Sequence, residues 1–115
     1  ASVTEAILAG LDSPPDVIVA ANDDMALGAL QVVQEQGLDV AILGFDALPE
    51  ALGSVRDGGL TATIEQFPGG QTERALDTLL AYLSDGTQPE PVILLEPIAI
   101  TADNLDAAER LGELN

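Results

Sequence analysis

Three polar residues follow three short apolar runs: Asn22 after residues 17–21, Asp46 after 40–45 and Gln66 after 61–65. The steps between them, 24 and 20 residues, are those of successive strand–helix units. In an open parallel sheet, ligands bind beyond the carboxyl ends of the strands, so all three are expected along one edge. Two amides and a carboxylate make a poor catalytic set but a natural one for a polyol. Every sugar hydroxyl both donates and accepts; a carboxylate accepts two hydroxyl protons, and each amide offers a donor and an acceptor. Taken singly, Asn22 also reads as a helix cap, Asp46 as a turn residue ahead of Pro49, and Gln66 as a solvated loop residue. The coincidence of the three carries the functional reading.

Other chemistry fares worse. Asp23 and Asp24 are adjacent carboxylates, which raises acid–base or metal roles. A helix N-terminus collects such residues for its dipole, and that is the expectation here. A dyad of Asp24 with Asp46 has no nucleophile or cation near it in the sequence, so no enzyme is expected. Gly69-Gly70 lacks the Gly-Lys-Ser/Thr of a phosphate loop. With no cysteine and no histidine, thiol catalysis, zinc-finger ligation and a Ser-His-Asp triad are excluded within this chain. No cofactor or metal is expected.

Twenty acidic residues face three arginines, Arg56, Arg74 and Arg110, for a net charge of −17. Phosphate neutralisation needs clustered Lys and Arg; with no lysine and three scattered arginines, a nucleic-acid partner is nearly excluded and anionic lipid disfavoured. Strong self-repulsion at low salt favours solubility. No apolar stretch approaches the roughly 20 residues that span a bilayer. No signal peptide opens the sequence. The chain is expected to be soluble, either a mature protein or an excised piece.

The elements that must position these residues alternate. Ser2 and Glu5 have capping-box spacing, and Val3, Ile7, Leu8 and Leu11 recur at helical spacing until Pro14-Pro15. Residues 17–21 read as a buried strand. Asn22-Asp23-Asp24 open a second helix, with Met25, Ala29, Val32, Val33 and Gln36 on one face and Gly37 as its stop. Gly28 inside that helix suggests close packing on a sheet. A second buried strand covers 40–43, a short helix 49–55 and a third strand 61–65. A fourth helix follows Gly69-Gly70 and ends at Gly86; its stripe of Leu76, Leu79, Leu80 and Leu83 is expected in the core. Residues 86–91 are linker-like, and 92–95 and 98–100 are extended runs broken by Pro97. Residues 101–104 cap a short helix carrying Leu105, Ala108 and Leu111. At 115 residues this is one domain, of α/β class, with a parallel sheet covered on both faces.

Residues 15–29, containing Asn22-Asp23-Asp24-Met25-Ala26-Leu27-Gly28-Ala29, resemble the signature of the type I periplasmic sugar-binding proteins of ABC importers. Residues 42–46, 55–66 and 100–105 fit the same pattern in order and spacing. The resemblance is to ribose-type members and runs over essentially the whole chain. It implies a three-layer αβα partial C-terminal lobe, with residues 1–115 a single domain and 86–115 its hinge-proximal strands and tail. It further implies two lobes that close on a monosaccharide about a hinge and deliver it to a membrane permease. In ribose-type members the residues matching Asn22, Asp46 and Gln66 hydrogen-bond the sugar. The parent would carry a signal peptide and be exported, to a periplasm or outside the membrane. The first strand and helix of the lobe and the whole N-terminal lobe lie outside this sequence; the missing lobe is an implied partner, and the edge so exposed invites self-association. Tryptophan is absent, and Phe45 and Phe67 read as packing residues. The effector-binding core of a LacI-type repressor shares the Asn-Asp-Asp-Met-Ala-Leu-Gly and Gly-Phe-Asp motifs and is the alternative. The stretch from Arg56 to Ile64 and the short 37–40 connection favour the transport branch.

Overall fold

The computed structural model describes residues 1–114. Its elements follow in the order α1 (Ser2–Ala9), β1 (Val17–Val19), α2 (Asp23–Glu35), β2 (Ala41–Leu43), α3 (Pro49–Arg56), β3 (Thr63–Glu65), α4 (Pro68–Asp85) and β4 (Ile98–Ile100). Two 3-10 turns, Leu105–Ala107 and Leu111–Glu113, complete the tail. β1 pairs in parallel with β2, Ile18 opposite Ile42. A parallel bridge between Leu43 and Ala62 carries β2 onto β3, with the Thr61 N–H on the Ile42 carbonyl and the Gly44 N–H on the Ala62 carbonyl, both at 2.9 Å.

The last strand departs from the expected parallel sheet. β4 runs antiparallel to β3, with Glu65 opposite Ile98. The reason lies in the connection. α4 leaves from the edge at which β3 ends, and residues 86–97 bring the chain back to that same edge. β4 therefore begins where β3 stopped and must run the other way.

The core forms where α2 and α3 meet the central strand. Ile42 is fully buried among Ala26, Val33, Ala51, Val55 and Leu60. A second cluster joins Leu52 of α3 to Ile100 of β4, Ala47 and Ala108. α2 buries Ala29, Val32 and Val33 of its expected face, but Ala26 takes the inward place of Met25, which is exposed, as is Gln36; Gly37 lies past its end at φ +63°. Gly28 instead faces the start of α1, where a Cβ would stand 3.1 Å from the Ala1 nitrogen.

Two expectations about burial fail, and one about capping. β1 is not a buried strand: it has one neighbour, and Val17 and Val19 are exposed. α1 buries nothing, and it begins at Ser2 with Ala1 as an N-cap that makes no side-chain bond, so the capping box does not form. The α4 stripe is not core either, since Leu76, Leu79, Leu80 and Leu83 are between 51% and 69% exposed. Eighteen residues of α4 carry the chain about 27 Å at 1.5 Å per residue. The radius of gyration is accordingly 18.2 Å, against about 13 Å for a compact chain of this length. Residues 92–95 form no strand.

Gly44 is fixed by what packs over it. An added Cβ would collide with the Asp23 carboxylate and stand 3.3 Å from the Ala26 Cβ. Gly44→Ala is expected to destabilise the folded protein by about 1–3 kcal/mol, the usual cost of overpacking. A urea midpoint unchanged from wild type would contradict this.

Candidate functional site

Beyond their last paired residues the three parallel segments stay zipped. The Asp23 N–H donates to the Phe45 carbonyl at 2.8 Å, and the Asp46 N–H donates to the Ile64 carbonyl at 2.9 Å. These bonds set Asn22, Asp46 and Gln66 at the same carboxyl edge, each half-buried. Gln66 Nε2 donates to Asp46 Oδ1 at 2.7 Å. Asn22 bonds neither of them; its Oδ1 accepts the Met25 N–H at 3.0 Å and so caps α2. Its amide nitrogen donates to no side chain or backbone group among the described residues.

The backbone at this edge is unusual. Asp46 has φ +109°, Ala47 φ +50° and Phe67 φ +56°, a region that non-glycine residues seldom enter. Asp23 stands behind the first two. It stands in the first turn of α2, where the dipole is expected to collect it, but it is fully buried, while Asp24 faces out. Its Oδ2 accepts the Leu48 N–H at 2.8 Å, and its Oδ1 accepts the Thr63 hydroxyl at 2.7 Å. Thr63 Oγ1 in turn accepts the Ala47 N–H at 3.2 Å. Burial pushes the Asp23 carboxyl above its ordinary value; the Thr63 and Leu48 hydrogen bonds pull it down, and the nearby Asp46 charge adds a further upward push.

A second buried acid holds the other end. Glu65 Oε1 accepts the Phe67 N–H at 2.7 Å, and its Oε2 accepts the Glu109 N–H at 3.1 Å. The Glu109 carboxylate accepts the Gly69 and Gly70 N–H groups at 2.9 and 2.8 Å. The amides of the Gly69-Gly70 turn thus hold an acid from the chain's own tail, at the positive end of α4.

A cleft of about 490 Å³ lies between α4 and residues 89–95, lined in part by Gln71, Arg74, Thr78 and Ile93. None of the three edge residues lines it. Among the described residues no group of three or more acids could hold a metal ion, and no helix is long and apolar enough to cross a membrane.

Residues 1–88 match the periplasmic binding protein domain family. The chain belongs to that family. It is 40% identical over 75 residues to the ribose import binding protein of Bacillus subtilis, a match covering 61% of this chain and 25% of that protein. The crystal structure of the Caulobacter myo-inositol binding protein, bound to myo-inositol, superposes with a TM-score of 0.87 at 44% identity, covering 98% of this chain and 39% of that one. That of a periplasmic ribose ABC transporter protein from Conexibacter woesei gives 0.83 at 28% identity, covering 91% and 36%. The fold is that of a type I periplasmic binding protein, part of one lobe. This periplasmic binding protein chain spans about a quarter of the length of the curated relatives it matches. Its relatives are sugar-binding proteins of ABC importers.

Proposed function

We propose that this chain is part of the C-terminal lobe of the solute-binding component of an ABC sugar importer, one jaw of a hinged clamp. The observation that carries this reading is the Asp46 carboxylate, held by Gln66 at the edge it shares with Asn22. One carboxylate oxygen receives the Gln66 amide, which leaves the other for a ligand hydroxyl. Gln66 keeps its carbonyl and a second N–H, and Asn22 keeps its amide nitrogen. Donors and acceptors set side by side suit a ligand with adjacent hydroxyls. The names of the relatives, ribose and myo-inositol, fit a monosaccharide or cyclic polyol. They favour import over the effector-binding core of a repressor. The clamp would bind and release without turnover, hand its ligand to a membrane permease, and work outside the cytoplasmic membrane.

The exposed leucines of α4 fit a second jaw. A stripe this apolar, standing off the sheet, calls for a covering surface. The remaining lobe of the same protein would supply it, since the chain covers only 39% of its myo-inositol-binding neighbour.

Calorimetry on the full-length protein tests the reading. Ribose or myo-inositol should bind at micromolar affinity or better; binding of neither overturns it. The 115 residues alone should do far worse. Three side chains supply about 3–6 kcal/mol gross, before the cost of lost rigid-body freedom. Micromolar binding needs about 8.2 kcal/mol. Micromolar affinity in the isolated chain would refute the two-jaw arrangement. The open β1 edge and the α4 face should also make the isolated chain pair with a second copy, seen as concentration-dependent sedimentation; a strictly monomeric profile counts against this.

A further inference from the structure

We infer that Asp23 and Thr63 are positioning residues for ligand binding, a buried brace that fixes the direction of the Asp46 carboxylate. This rests on the proposed sugar site. Two consecutive non-glycine residues, Asp46 and Ala47, sit at positive φ, a conformation that persists only where the surroundings over-determine it. Here the surroundings are identifiable. A carboxylate only accepts, so the Thr63 hydroxyl proton must point to Asp23 Oδ1, at 2.7 Å. That leaves the Thr63 oxygen lone pairs for the Ala47 N–H, at 3.2 Å. The other Asp23 oxygen takes the Leu48 N–H at 2.8 Å. Asp23, Thr63 and Ala47 are all fully buried, so no water competes for the two bonds that join them.

The result is a directional chain from Ala47 through Thr63 to Asp23, closed by Leu48. It ties the start of α2 and strand β3 to the loop between them. With Ala47 and Leu48 pinned from behind and the Asp46 N–H on the Ile64 carbonyl, the Asp46 side chain is turned toward Gln66 and the open edge. Neither Asp23 nor Thr63 has an exposed atom with which to touch a ligand.

The test compares Thr63→Val, Thr63→Ser, Asp23→Asn and Asp46→Asn in the full-length protein. Affinity for ribose and for myo-inositol is measured by calorimetry well below the melting temperature. Amide exchange is read at Ala47 and Leu48. Thr63→Val keeps the shape and removes the hydroxyl. It should weaken binding about five- to tenfold, the worth of roughly one hydrogen bond, and speed exchange at Ala47 while buried α2 amides keep their protection. Thr63→Ser should restore both. Should Thr63→Val not fold, Asp23→Asn decides, because it replaces one acceptor by a donor in the same outline. Full affinity in a folded Thr63→Val or Asp23→Asn protein, with Asp46→Asn still impaired, overturns the brace and leaves the site standing. Unchanged affinity in Asp46→Asn, or a wild type that binds neither probe, overturns the site reading and the brace with it.

Discussion

Asp46→Asn in the full-length protein is expected to weaken binding of ribose or myo-inositol about 10- to 100-fold, the worth of one hydrogen bond to a charged group. Asparagine tolerates positive φ better than most residues, so the backbone at φ +109° is kept. Its amide oxygen can still accept from Gln66, so the local bond is kept as well. What is lost is the charge and the second acceptor, the two properties a ligand hydroxyl would use. Calorimetry reads the effect directly, and an affinity within twofold of wild type would remove Asp46 from the site.

Asp23→Ala should be the most damaging single change at this edge. It strips the acceptor from the half-buried Leu48 N–H and from the buried Thr63 hydroxyl. Orphaned buried donors cost about 1–3 kcal/mol each. Two such donors amount to about 2–6 kcal/mol gross, and the released cost of burying the native carboxylate brings the expected loss down to about 1–4 kcal/mol. Urea denaturation of the full-length protein measures it, and a loss under about 1 kcal/mol would mean that water replaces the carboxylate.

The same residue has a pH signature whose sign is fixed. The folded Asp23 carboxyl lies above its ordinary value of 3.8, chiefly because it is buried. The folded state therefore holds its proton more tightly than the unfolded one. The stability so gained is fully present below 3.8 and is lost as pH rises through the raised folded value. Asp23→Asn should flatten the stability profile across that window, in denaturant titrations repeated from acid upward. Asp57, Asp85 and Glu113 shift the other way, through bonds to Arg56, Thr87 and Arg110, but all three are exposed to solvent.

Local signals announce local structure. Val17-Ile18-Val19, the cap at Asn22 and the stop at Gly37 are legible because each element states its own start, face and end within a dozen residues. The shared edge of Asn22, Asp46 and Gln66 is legible because strand–helix repetition fixes which end of each strand they occupy. What faces what across long separations is not. Asp23 and Asp24 look alike at a helix start, yet only one turns inward, because Thr63 waits 40 residues away. Glu65 and Glu109 likewise meet across 44 residues. The α4 stripe says that something covers it, not that the cover lies within this sequence. The reversal of β4 depends on where α4 points, which no run of residues encodes alone.

Glu65 stands opposite Ile98, so everything from Gln66 to Pro97 leaves the sheet and rejoins it through a single gate. Glu65 ties that gate from inside and Glu109 from the solvent side. An arm rooted at both ends beside one another cannot slide along the sheet without breaking the pairing of β3 with β4. Gln66, the first residue of that arm, grips Asp46 at the doorway itself, so the gripping pair is fixed at the arm's root and not at its tip.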